Sequence, residues 1–318
     1  MDDRRITLRF MAAPTDVASL GGGVRGGRIL EWIDKAAYAC AAAWSGGYSV
    51  TAYVGNISFG RDIESGDLVE VTATLVYTGR TSMHIECEVA SADPRLGRFT
   101  GAGSCLLVFV AVGDDGRPTR VRQWQPVRPD DVERAEDAAR RVVVRRRISE
   151  CMATVSYTEA TEAERMVTRF LAAPTDVNWG GKAHGGRVMS WMDDAAYLTG
   201  VRWSGGEVAS VYVGGVRFYR PIHIGHVVQV EARLIHTGRQ TMHVSVHLRS
   251  GWPQEPDPPV AAHCLTVLAA LDSAGDAVAV RQWRPLLDED ITLDVHARDL
   301  VAIRGERTFR WSAAEPHA

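Results

Sequence analysis

One nine-residue phrase occurs twice in this 318-residue chain, and no other feature limits its fold so severely. Arg9-Phe10-Met11-Ala12-Ala13-Pro14-Thr15-Asp16-Val17 returns as Arg169-Phe170-Leu171-Ala172-Ala173-Pro174-Thr175-Asp176-Val177, with Met11 and Leu171 the one difference. The offset is 160 residues there and 159 from the following glycine pair onward, so the second copy is one residue shorter in the intervening loop. Beyond it Phe59 answers to Phe218, Thr78-Gly79-Arg80 to Thr237-Gly238-Arg239, and Arg122-Gln123-Trp124 to Arg281-Gln282-Trp283. Copies of about 125 residues are far longer than solenoid units and imply two duplicated domains. The expected division is 1–128, a charged helical linker at 129–160, 161–288, and a tail at 289–318 with one helix.

Each copy carries a glycine pair followed by an apolar helix with one acid, Gly26-Gly27 leading to Asp34 and Gly185-Gly186 leading to Asp193. Paired glycines allow close backbone approach, and a helix start presents unpaired N–H groups and a positive dipole end, so an acceptor is expected there. Ile29, Ile33, Ala36, Ala37 and Cys40 recur at helical spacing. Val69, Val71, Ala73 and Leu75 then alternate with polar residues, as Val228, Val230, Ala232 and Leu234 do in the second copy, the pattern of strands with one covered face. A further alternating run at Met83–Val89 and an apolar one at about 103–112 complete the set. The class is α+β: in each copy, one helix against a curved antiparallel sheet.

The formal net charge of −3 provides no whole-chain attraction to nucleic acid or anionic membranes, and Arg145-Arg146-Arg147 reads as a charged linker face. Five cysteines, an odd number without a C-x-x-C pair, point away from a disulfide framework or zinc site. The expectation is a cytoplasmic protein with reduced thiols, no bound metal, no export signal and no membrane span. Gly21-x-Gly23-x-x-Gly26 matches a dinucleotide fingerprint only formally, because no βαβ pattern follows and the second copy lacks it. His223-x-x-His226 and His243-x-x-x-His247 have no acidic or Cys partners at metal-ligand spacing, and no G-x-S-x-G elbow is present.

Asp34 follows Leu30 by four residues and precedes Ala37 and Tyr38 by three and four, so it lies on the apolar flank of its helix; Asp193 lies likewise. A carboxylate facing an apolar surface needs hydrogen bonds or a function. Lys35 and Asp194 fall with Glu31 and Ser190 on the opposite side and read as solvent residues, with Glu31 and Lys35 in the favoured helix-pair order. The loops before the glycines differ: Asn178 stands seven residues ahead of the second pair, where Ser19 stands ahead of the first. An Asn there is either a turn residue or a group that orients water or a carbonyl.

Asn178-x-x-Gly181-x-x-x-Gly185-Gly186, Trp191-Met192-Asp193, Phe218-Tyr219-Arg220-Pro221-Ile222 and Thr237-Gly238-Arg239 together resemble the acyl-CoA thioesterases of the hotdog fold. The tandem arrangement, over roughly 5–128 and 165–288, is similar to the double-hotdog acyl-CoA hydrolases. That resemblance implies two fused hotdogs with sites across their interface, each taking Asp from one copy and Asn from the other. It joins Asp34 to Asn178, and Asp193 to Ser19 in a departed second site. It further implies hydrolysis of acyl-CoA to acid and CoA, with Asp34 as base or nucleophile, Asn178 positioning water or substrate, and backbone N–H of Gly185 or Gly186 facing the oxyanion, as Gly26 or Gly27 would at the second site. Ser82 and Thr241 are the implied hydroxyls near the reacting centre and His184 a substrate-contact candidate. CoA phosphates leave Arg61, Arg80, Arg220 and Arg239 as candidates. No cofactor is expected beyond the CoA of the substrate, and a homo-oligomer, a trimer of double hotdogs, is. The competing readings are an acyl-CoA sensor that lost its chemistry, and a hotdog dehydratase, which the sequence disfavours because no His–acid pair stands near either helix.

Overall fold

A computed structural model of the chain describes residues 3–17, 23–55, 58–59 and 62–304; Ser19 and Arg61 lie outside them. The first copy contains β1 (Arg5–Met11), α1 (Gly26–Ser45), β2 (Ser49–Val54), β3 (Ser58–Phe59), β4 (Leu68–Thr78), β5 (Ser82–Ala92) and β6 (Thr100–Ala111). After α2 (Pro129–Met152), the second contains β7 (Arg165–Leu171), α3 (Gly185–Ser204), β8 (Val208–Phe218), β9 (Val227–Thr237), β10 (Thr241–Gly251) and β11 (Val260–Ala270), and α4 (Asp288–Arg304) follows.

The strands form one antiparallel sheet in the order β1-β4-β5-β6-β2-β8-β11-β10-β9-β7, with β3 alongside β6. The order is symmetric about its middle, where the copies join through Tyr53 opposite Arg217 and Val54 opposite Val216. The alternating residues read from the sequence supply the covered face: Val69, Val71, Ala73 and Leu75 in β4, and Val228, Val230, Ala232 and Leu234 in β9, are all fully buried. Against them lie Leu30, Ile33, Ala36, Ala37 and Cys40 of α1 and Met189, Met192 and Ala196 of α3, in a single core that runs through both copies. Each helix stops at a glycine in the left-handed region, Gly46 at φ +69° and Gly205 at φ +75°, whose N–H closes on the carbonyl of Ala42 or Val201.

Two expectations need correction. The linker helix is not merely solvated: Ala138, Ile148 and Met152 are buried on the outer face of the sheet, and the Arg145 guanidinium lies 5.3 Å from the centre of the Tyr53 ring. Its sparse apolar positions suffice because Val76, Leu106, Ile235 and Leu265 face outward to meet them, together with Leu293, Ala297 and Leu300 of α4. Nor is the supposed polar side of α1 a solvent face. Glu31 is buried, bonded by Arg28 at 2.7 Å and by Arg187 of α3 at 3.1 Å, while only Lys35 points to water. The two helices pack on each other along that side. A Cβ on Gly27 would stand 2.8 Å from the Ser190 Cα, and one on Gly186 2.7 Å from the Glu31 Cα. The close approach that the paired glycines permit is therefore helix to helix.

Candidate active site

The helix crossing brings the start of each helix to the acid of the other. The N–H of Gly186, at the beginning of α3, donates to Asp34 Oδ2 at 2.7 Å, and that of Gly27 donates to Asp193 Oδ2 at 2.8 Å. Both acids sit at the positive end of the partner helix, and both are buried. A hydroxyl from the neighbouring strand takes the other oxygen: Thr51 donates to Asp34 Oδ1 and Ser210 to Asp193 Oδ1, each at 2.8 Å. Sequence reasoning assigned this hydroxyl to Ser82 and Thr241. They stand instead beside the glycines of the β4–β5 and β9–β10 turns, whose Gly79 and Gly238 N–H groups donate to their carbonyls. The signal for Thr51 and Ser210 was present, since the 159-residue offset pairs one hydroxyl with the other.

The centres then diverge. His184, the residue that precedes the glycine pair, places Nδ1 2.7 Å from Asp34 Oδ2. At that distance a carboxylate oxygen acts as the acceptor and Nδ1 as the donor. Nδ1 also lies 3.3 Å from the Gly186 nitrogen, but that N–H is directed at the carboxylate with the shorter contact. A His–acid pair therefore exists near the helix, contrary to the reading from sequence, because it is assembled from two copies. At the other centre the corresponding residue is Arg25, whose guanidinium turns to Asp194 at 3.5 Å. Burial there pushes the Asp193 carboxyl up to about 6, against the lowering effect of the Ser210 hydrogen bond.

Asp34 opens on a cleft of about 350 Å³ lined from both copies, by Tyr38, Tyr48 and residues 49–52 on one side, and by Asn178–Trp179, residues 182–185 and residues 218–222 on the other. Trp179 stacks on Tyr38 with ring centres 5.3 Å apart and planes 7° apart. Asn178 lines the cleft with its amide engaged: Oδ1 accepts the N–H of Gly180 at 2.8 Å and of Lys182 at 3.2 Å and, at 3.5 Å, the hydroxyl of Tyr48 from the other copy, and Nδ2 donates to the Ala183 carbonyl at 3.4 Å. It thereby holds the loop that presents Trp179. Gly185 also lines the cleft, and a Cβ there would stand 2.8 Å from Thr51 Oγ1 and 3.1 Å from Asp34 Oδ2. As the first residue of α3, its N–H has no partner within the helix. Of the arginine candidates Arg220 lines the cleft, whereas Arg80 and Arg239 sit in the hairpin turns, their carbonyls bonded to Val121 and Val280. The structure thus gathers Asp34, Asn178, His184, Gly185, Gly186 and Arg220, adds Thr51 and the aromatic pair, and leaves Ser82, Thr241, Arg80 and Arg239 aside.

Two long helices inside one shared antiparallel sheet, with acids exchanged between the copies, define the chain as a double hotdog. The model of the thioesterase superfamily matches it twice, at residues 21–98 and 180–256. The protein VdlD of Helicobacter pylori is 30% identical over 146 residues, 46% of this chain and 83% of that protein. The human cytosolic acyl coenzyme A thioester hydrolase is 24% identical over 263 residues, 76% of this chain and 67% of that one. A solved structure from Lactobacillus plantarum, assigned by inference as an oleoyl thioesterase, covers 85% of this chain and 97% of its own with a TM-score of 0.58 at 11% identity, a likeness of fold. The chain belongs to the thioesterase superfamily. No described helix is long and apolar enough to cross a membrane.

Proposed function

We propose that this chain hydrolyses acyl-CoA thioesters to a free acid and CoA at the Asp34 centre. The observation that carries the reading is the exchange between copies: a buried carboxylate from α1 held by the N-terminal Gly186 N–H of α3, at the wall of a cleft with aromatic sides. The human relative, a cytosolic acyl coenzyme A thioester hydrolase, supports that substrate class. In this reading Asp34 supplies the charge that makes an attacking water basic, and the Gly185 N–H stabilises the oxyanion of the tetrahedral intermediate, a donor of a kind worth ~2.7–4 kcal/mol in the transition state. Tyr38, Tyr48 and Trp179 bound the acyl or pantetheine arm, and Arg220 and Lys182 at the rim meet CoA phosphates. No cofactor takes part.

A panel of straight-chain acyl-CoAs, followed by thiol release, tests the activity and sets the acyl length. Saturable binding without thiol release at any length would establish the sensor reading instead. The His184–Asp34 pair gives the dehydratase reading a physical basis, so an enoyl-CoA hydration assay belongs beside it; water addition without thiol release would select that chemistry.

A further inference from the structure

Asp34 already accepts three hydrogens. Thr51 occupies Oδ1 at 2.8 Å, and Oδ2 receives the Gly186 N–H and His184 Nδ1, each at 2.7 Å. A carboxylate so engaged is an anchor for its donors before it is a base for water. The imidazole of His184 has one nitrogen committed to that anchor, which leaves Nε2 for the cleft that His184 lines. A neutral imidazole with Nδ1–H on a carboxylate is basic at Nε2, and the carboxylate stabilises the imidazolium once a proton arrives.

We propose that His184, rather than Asp34 directly, carries the proton of thioester hydrolysis, with Asp34 orienting its ring. This rests on the thioesterase reading of the site. Nε2 takes one proton from water while the water oxygen forms its bond to the thioester carbonyl carbon. The tetrahedral intermediate collapses, the C–S bond breaks, and the Nε2 proton passes to the CoA sulfur. One water and one thioester give one acid and one thiol, and His184 returns to its neutral form.

The other centre supports the assignment by contrast. It keeps the helix N–H, the strand hydroxyl and the buried acid, but Arg25 stands in the place of His184. A guanidinium stays protonated and cannot alternate between base and acid. The asymmetry between the two centres thus lies at His184 and Arg25.

Wild type, His184→Gln, His184→Ala and Asp34→Asn are compared on an acyl-CoA and on the S-phenyl thioester of the same acid, whose thiolate leaves without needing a proton. His184→Gln is expected to lower kcat on the acyl-CoA by ~10²–10³-fold, with KM changed by less than about 3-fold, and to lose at least about 10-fold less on the phenyl ester. Free imidazole is expected to restore His184→Ala. Thermal unfolding checks that both variants fold, since neither removes the Gly186 or Thr51 bond to Asp34. If both His184 variants keep kcat within about 3-fold of wild type while Asp34→Asn is inactive, the proton role is wrong and the thioesterase reading stands. Equal losses on both esters with no response to imidazole would make His184 a prop for Asp34 and also overturn the proposal. Absence of thiol release by wild type from any acyl-CoA would remove the functional reading together with this one.

Discussion

Asp34 and Asp193 occupy equivalent helix positions and share two kinds of donor, so their difference comes from one neighbour each. Asp34→Asn is expected to cut kcat on acyl-CoA by ~10²–10⁴-fold, and Asp193→Asn to leave it nearly unchanged, as measured by thiol release. The reverse result would move the working site to the other end of the helix pair. Asp193 has a separate consequence for stability. Its folded-state value of about 6 lies above the ordinary 3.8, so the fold favours the neutral acid. The stability this contributes is complete below about pH 4 and is lost as pH rises through about 6, a change on the order of 3 kcal/mol. Thermal unfolding between pH 4 and pH 7 checks it: the wild-type Tm should fall with rising pH relative to that of Asp193→Asn, whose side chain does not ionise.

At the level of elements, periodicity located α1 and α3 and their buried stripes, yet it misplaced their polar sides. A single helix in a sequence shows which residues are charged and gives no sign that a second helix will cover them. Glu31 joins Arg28 and Arg187, and the two arginines reach Asp16 and Asp176, both at 2.9 Å, so the conserved spacing of the repeat builds the same bridge twice. Glu31→Ala removes the shared partner of two partly exposed cations that each keep a second carboxylate, Asp16 or Asp176, and a loss of about 1–2 kcal/mol is expected. Lys35→Ala, on the exposed side, is expected within about 0.5 kcal/mol of wild type. Denaturant unfolding of the two variants separates the solvent-face reading from the helix–helix one, because the former predicts similar small effects for both.

For the whole molecule, the exchange of acids between copies means that one copy alone does not form the site. The shared sheet ends at β1 and β7, which pair on one side only and leave Met11 64% and Leu171 60% exposed. These edges, and the outer helices on the opposite face, are where further copies could be added. A trimer of double hotdogs is proposed, and light scattering tests it: a particle of three times 34.8 kDa is expected, and a monomer at micromolar concentration would remove the proposal.

Sequence alone determined the repeat, the strand alternation, the helices and the two acids, because these depend on periods of 2 and 3.6 residues and on identity between copies. It also marked Asn178 and the glycine pairs as exceptional. Only the tertiary structure decided what those features touch. That Gly186 serves Asp34, and that His184 completes the first centre while Arg25 turns to Asp194 at the second, follow from α1 and α3 lying side by side, whereas the Thr51 hydroxyl reaches Asp34 because β2 packs beside α1. Residues more than a hundred positions apart share no local period, so their meeting is set by the packing of one shared core and is written in no single stretch of the chain.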